Sequence, residues 1–89
     1  MASINLVITN KLGLHARAAA KLTQLAAQFK SDIFIARDDQ KVNAKSIMGV
    51  MMLAAGLGVE VTIEAHGDDE QEALQAIQAL FENKFGEEQ

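Results

Sequence analysis

The spacing of hydrophobic residues changes repeatedly along this chain, and each change limits the kind of element that can form. Ile4, Leu6 and Ile8 occupy every second position, as do the apolar residues of 59–65. This period is typical of strands with one buried face. Over residues 16–29 the apolar residues instead recur at intervals of three and four, which predicts a helix. A chain that switches between the two periods is expected to pack helices against a sheet.

Two further segments lie between these elements. Residues 33–36 and 41–43 flank a polar turn and predict a β-hairpin. Residues 47–55 are apolar and follow Ser46, a favourable N-cap residue, while Gly56 suits the position just beyond a helix. We therefore predict a short helix over 47–55, although a buried strand is the alternative.

A final helix is predicted after Gly67. We expect Asp68 or Asp69 to cap its N-terminus, with Gln71 or Glu72 three residues further on as the capping-box partner. Its predicted apolar stripe comprises Leu74, Ile77, Phe81 and Phe85, with Ala73 and Leu80 beside them and Gly86 at its end.

The complete order, βαββαβα, predicts a single α+β domain over residues 1–89. We expect an open-faced β-sandwich, in which a four-stranded antiparallel sheet carries three helices on one face. With 89 residues, of which 49% are hydrophobic, the chain can form only a small core. The absence of cysteine excludes disulfides and thiolate metal sites.

The charges are unevenly distributed along the chain. Residues 1–45 contain seven basic and three acidic residues, whereas residues 46–89 contain one basic and nine acidic residues. A net charge of −4 and the lack of Trp and Tyr argue against nucleic acid as a partner. No secretory signal and no apolar run of membrane-spanning length is visible. We therefore expect a cytoplasmic protein without membrane insertion.

The two histidines occupy different settings. His66 falls on the polar face of a predicted strand, where a solvated surface histidine is expected. His15 directly precedes the first helix, whose leading N–H groups, from Ala16 to Ala18, lack intrahelical partners and form an anion site. Arg17 adds a guanidinium suited to phosphate oxygens. Spacing alone leaves a merely capping role for His15 equally open, and no nearby ligand predicts a metal site.

Two segments of the chain carry a family resemblance. Residues 10–19, NKLGLHARAA, resemble the phosphohistidine signature of HPr, the histidine-containing phosphocarrier family of the bacterial phosphotransferase system. Residues 42–53, VNAKSIMGVMML, resemble the second signature of that family, which surrounds a regulatory serine. The resemblance covers essentially the whole chain.

This resemblance implies a monomeric phosphoryl carrier without a cofactor, rather than an independent enzyme. His15 would be phosphorylated on Nδ1 by enzyme I, which draws its phosphoryl group from phosphoenolpyruvate. Arg17 and the backbone of Ala16 and Arg17 would bind that group, and a IIA protein would accept it. Ser46 matches the site of HPr kinase/phosphorylase. Ala18 stands where the family usually has proline.

The resemblance also predicts an exposed docking surface for these partners. We expect Val50 and Leu53 to enter the core, although burial of the whole cluster Ile47, Met48, Met51 and Met52 is an alternative. The candidate docking residues are Ala16, Ala20, Lys21, Gln24, Ile47, Met48 and Met51. Two other functions remain open: a carrier in a nitrogen-related branch of the same system, and a small α/β regulatory domain with a structural His15.

Overall fold

The computed structural model describes residues 1–87 and has the predicted order of elements. The strands are β1 (Ala2–Val7), β2 (Asp32–Arg37), β3 (Gln40–Asn43) and β4 (Glu60–His66). The helices are α1 (Ala16–Ala26), α2 (Ile47–Met52) and α3 (Glu70–Glu82), followed by a 3₁₀ turn over Lys84–Gly86. The strands form one antiparallel sheet in the order β1-β4-β2-β3. The α+β open-faced sandwich is therefore confirmed.

The core lies between one face of the sheet and the helices. Ile63 in the central strand β4 is fully buried and pairs with Ile4 on one side and Ile35 on the other. The opposite face of the sheet is polar, as the alternation predicted: Thr62 donates to Asn5 across the β1–β4 pair at 2.7 Å. The helices contribute the rest of the core through Ala19, Leu22, Ala26, Val50, Leu53, Leu74, Ile77 and Phe81.

All three helices end earlier than predicted, and the ends of α1 and α2 have local causes. Helix α1 stops at Ala26 rather than at residue 29, because the N–H groups of Gln28 and Phe29 bond three residues back, to the Leu25 and Ala26 carbonyls, instead of four. Helix α2 stops at Met52, and Ala54, not Gly56, takes the left-handed conformation with φ 52°. The guanidinium of Arg37 donates to two carbonyls at this end, those of residues 53 and 54, and so stabilises the early termination.

The start of α3 also differs from the prediction. Asp69 occupies the N-cap position, but its carboxylate does not cap α3 and no capping box forms with Gln71 or Glu72. It accepts instead from the N–H groups of Lys30 and Ser31 and from the Ser31 hydroxyl. These bonds hold the pKa of Asp69 below its ordinary value, with the Ser31 hydroxyl as the largest cause. Asp69 thus joins α3 to the α1–β2 connection.

The end of α3 is shorter than the predicted apolar stripe. Phe85 lies beyond the helix, in the 3₁₀ turn, and is nevertheless fully buried with its ring centroid 4.8 Å from that of Phe81. Within residues 1–87, no helix is both long and apolar enough to cross a membrane.

Candidate functional site

His15 lies at the N-cap of α1 with an extended backbone, φ −73° and ψ 177°. Its side chain forms no capping hydrogen bond, although its carbonyl accepts the first helical bond, from Ala19, at 2.8 Å. The N–H groups of Ala16, Arg17 and Ala18 have no acceptor within residues 1–87. The start of α1 therefore presents three donors and the positive end of a helix dipole next to a partly exposed imidazole.

The loop before His15 is fixed by close backbone contacts. Gly13 has φ +65°, and a Cβ atom there would lie 2.7 Å from the Ala55 carbonyl oxygen and from the Gly56 Cα. The next residue, Leu14, is buried and donates its N–H to the same Ala55 carbonyl at 2.9 Å. The loop thus rests directly on the segment that follows α2, and this contact sets the position of the imidazole.

A carboxylate that sequence analysis did not single out contacts the imidazole. Glu87 forms a hydrogen bond through Oε2 with Nε2 of His15, and its Oε1 accepts from the side-chain amide of Asn10 at 2.9 Å. The Asn10 bond, the imidazole and the charge of Arg17 lower the pKa of Glu87, with Asn10 the largest cause. Glu87 is 72 residues away in sequence, so no local spacing indicates the contact.

The basic side chains near the site have different surroundings. Arg17 is exposed, and its positive charge contributes to the lowered pKa of Glu87. Lys21 is half-buried and donates to the Phe85 carbonyl at 2.6 Å, so it holds the C-terminal turn as well as contributing positive charge. Of the other candidate docking residues on α1, Ala16 and Gln24 are exposed and Ala20 is half-buried.

Ser46 lies at the N-cap of α2, as predicted. Its hydroxyl accepts from the Gly49 N–H at 3.1 Å, and its side chain is half-buried. Val50 and Leu53 are in the core, which leaves the other apolar side chains of α2 outward. The exposed fractions are 39% for Ile47, 68% for Met48, 40% for Met51 and 71% for Met52. Because α2 packs against α1, these apolar residues and the start of α1 belong to the same layer of the molecule.

Within residues 1–87, no three histidine or acidic side chains converge in a way that could hold an ion. His66 lies at the end of β4 with 44% of its side chain exposed, edge-on to the Phe34 ring at 6.2 Å between centroids. Among residues 1–87, the groups gathered at His15 are its imidazole, the N-terminus of α1, Arg17 and the carboxylate of Glu87.

The sequence and the fold of this chain are both similar to those of known proteins. Residues 2–83 match the family model described as "PTS HPr component phosphorylation site". The chain is 64% identical to phosphocarrier protein HPr of Cupriavidus necator, over 90% of each chain, and 48% identical to phosphocarrier protein NPr of Shewanella violacea, over 90% of this chain and 88% of the other. The crystal structure of HPr-C-His from Thermoanaerobacter tengcongensis superimposes with a TM-score of 0.96 at 50% identity, covering both chains completely.

Proposed function

This chain belongs to the HPr family of phosphocarrier proteins, and from that premise we propose that Nδ1 of His15 accepts a phosphoryl group from enzyme I and passes it to a IIA protein. The observation that carries the proposal is the start of α1. Three N–H groups that have no acceptor among residues 1–87 lie beside the His15 imidazole, which forms no capping hydrogen bond. Arg17 supplies a charged fork for the phosphoryl oxygens.

The transfer is a direct displacement. The lone pair on Nδ1 forms a bond to phosphorus while the bond between phosphorus and the donor breaks, and that electron pair remains with the donor group. The equatorial oxygens carry the charge of the transferring group. The N–H groups of Ala16, Arg17 and Ala18 and the Arg17 guanidinium stabilise this charge electrostatically. Passing the group to the acceptor reverses these events.

The apolar surface of α2 supports docking with more than one partner. Ile47, Met48 and Met51 expose side chains that would be buried if they served only the core. Methionine adapts its shape to different surfaces, as a carrier that meets both a donor and an acceptor requires. We assign these three exposed side chains, together with Ala16, Ala20, Lys21 and Gln24, to the surface through which a monomer binds enzyme I and IIA proteins.

Ser46 gives this surface a means of control. Phosphorylation by HPr kinase/phosphorylase would place about −1.5 to −2 charges at the N-terminus of α2. The charge is favourable for the helix itself, but it lies next to Ile47, at the edge of the apolar surface of α2 that partners must cover. Phosphorylation of Ser46 therefore weakens docking in this proposal.

The decisive experiment is phosphorylation of the purified protein by enzyme I and phosphoenolpyruvate. We expect a phosphate that is labile in acid and stable in base, lost in His15→Ala and retained in the matched control His66→Ala. Absence of labelling in the wild type, or labelling that survives His15→Ala, refutes the proposal. Offering the phosphorylated protein to IIA proteins of the sugar and nitrogen-related branches then identifies the physiological acceptor.

A further inference from the structure

The C-terminal turn is built so that Glu87 meets His15. Phe85 is fully buried against Phe81, which anchors the turn in the core. Lys21 binds the Phe85 carbonyl at 2.6 Å, and the Glu87 N–H donates to the Lys84 carbonyl at 3.0 Å. The side chain of Glu87 is 12% exposed. These contacts hold the segment that carries Glu87, and each oxygen of its largely buried carboxylate has a hydrogen-bond partner.

The backbone of this turn is strained. Lys84 and Phe85 have φ values of 54° and 58°, in the left-handed region that non-glycine residues seldom adopt, and Gly86 follows with φ 76°. Two consecutive non-glycine residues in this region are unfavourable unless the surrounding structure imposes them. Burial of Phe85 and the Lys21 bond impose them here, and the result is the approach of Glu87 to the imidazole.

Asn10 fixes the chemistry of the contact. Its fully buried amide nitrogen donates both to the Gly13 carbonyl at 2.8 Å and to Glu87 Oε1 at 2.9 Å. Both partners are acceptors, so the opposite orientation of the amide would face oxygen with oxygen. Glu87 Oε2 is therefore the atom left to accept from His15, and a proton on Nε2 satisfies it.

We propose that Glu87 is a positioning residue for phosphoryl transfer: its carboxylate holds the proton on Nε2 of His15, fixes the ring and leaves the lone pair on Nδ1 for the phosphoryl group. The inference rests on the proposed function and names a residue that directs it. When Nδ1 bonds to phosphorus, the proton remains on Nε2 and the ring becomes positively charged. The adjacent carboxylate stabilises this charged ring, as a buried carboxylate does for a catalytic imidazole elsewhere.

Replacing Glu87 with glutamine gives a distinctive test. Because Asn10 is committed as a donor, the new amide oxygen turns toward Asn10 and the new amide nitrogen toward His15. The imidazole then becomes an acceptor at Nε2, so its proton moves to Nδ1, the atom that must attack phosphorus. Glu87→Ala removes the partner without imposing this reversal. Glu82→Gln makes the same change of charge at an exposed position five residues earlier and serves as the control.

The tautomer is measured on the unphosphorylated protein by ¹⁵N NMR of the His15 ring, on the alkaline plateau of a pH series. We expect Nε2 protonated in the wild type and in Glu82→Gln, and a shift of the proton toward Nδ1 in Glu87→Gln. Outer partners of functional imidazoles in metal sites change activity by about 10- to 100-fold. We expect about a 10-fold slower acceptance from phosphorylated enzyme I in Glu87→Gln, because the His15 side chain is partly exposed, and a smaller loss in Glu87→Ala.

The possible results separate the two proposals. A wild type protonated on Nδ1, or a Glu87→Gln variant that is phosphorylated at the wild-type rate, overturns the role of Glu87 while leaving His15 as the acceptor. Faster phosphorylation of Glu87→Gln also overturns it, because the carboxylate would then be a competitor for the anion site. If the wild type takes no phosphoryl group although the tautomers behave as expected, the proposed function fails, and the role of Glu87 in transfer fails with it.

Discussion

The contact between the loop of His15 and the segment after α2 makes Gly13→Ala a sensitive test of how the site is positioned. Gly13 combines a left-handed backbone with a separation that leaves no room for a Cβ atom. Two other glycines of the same region isolate these effects. Gly58 has φ +84° but open space around it, and Gly56 has open space and no left-handed φ.

The expected cost follows from these differences. Holding an L-residue in the left-handed conformation costs about 1–2 kcal/mol, which is the whole effect for Gly58→Ala. At Gly13 the new methyl group also displaces backbone atoms and breaks the Leu14–Ala55 hydrogen bond, a further loss of about 1 kcal/mol. We therefore expect Gly13→Ala to lower the free energy of unfolding by about 2–3 kcal/mol. Gly56→Ala should change it by no more than about 0.5 kcal/mol.

Urea unfolding followed by far-UV circular dichroism measures all three variants. Circular dichroism is required because the chain has no Trp or Tyr to report by fluorescence. Each kcal/mol also lowers the Tm of a domain of this size by about 4–8 °C. The m value should remain constant, since the area exposed on unfolding is unchanged.

Equal destabilisation by Gly13→Ala and Gly58→Ala would refute this reasoning. It would mean that the 55–56 segment moves away at no cost and that the close approach does not position His15. A large effect of Gly56→Ala would also contradict it, because a methyl group at that position meets no neighbouring atom within 4 Å.

Four further outcomes follow from the structure. Ala18→Pro should raise the free energy of unfolding by about 0.4–1 kcal/mol in urea titrations, because the Ala18 N–H has no acceptor within residues 1–87. A lower free energy of unfolding would mean that the buried position of Ala18 has no room for the proline ring. Asp69→Asn should be less stable than the wild type at neutral pH. As pH falls below 3.8 and through the lowered pKa of Asp69, the wild type loses this advantage and the two stabilities converge; a constant difference would contradict the role of the ionised carboxylate. Leu53→Ala should lower the free energy of unfolding by about 2–5 kcal/mol, because Leu53 is buried. Met52→Ala should leave it nearly unchanged, because Met52 is 71% exposed. Ser46→Asp should slow phosphorylation by enzyme I, and an undiminished rate would exclude regulation by charge at α2.

The elements that sequence analysis located correctly are those governed by local periodicity. Strand β4 and the inward residues of α1 follow directly from the intervals between apolar residues, and Ser46 caps α2 through its own local geometry. The start of α1 is equally local, because any helix leaves its leading N–H groups without intrahelical partners. The position of His15 directly before the leading N–H groups of α1 is therefore visible in the sequence.

The features that sequence analysis missed depend on partners far along the chain. The end of α2 is set by Arg37 from the hairpin, and the Asp69 carboxylate is drawn away from its own helix by Ser31. Glu87 reaches His15 only because Phe85 enters the core beyond the end of α3. None of these contacts has a fixed spacing, so each becomes apparent only when the tertiary structure brings the partners together.

The strand order has a consequence for how the molecule is made. Strand β1 pairs with β4, so that Ala2 lies opposite Ala65, whereas β2 and β3 join through a two-residue turn. The hairpin can form as soon as it is synthesised, but β1 must wait for a partner encoded more than 50 residues later. Pairing across so long a separation is slower than local pairing, because the entropy of closing the loop is lost before the contacts are gained. Strand β1 thus waits longest for its neighbour, and until then its hydrogen-bonding edge is open to other chains.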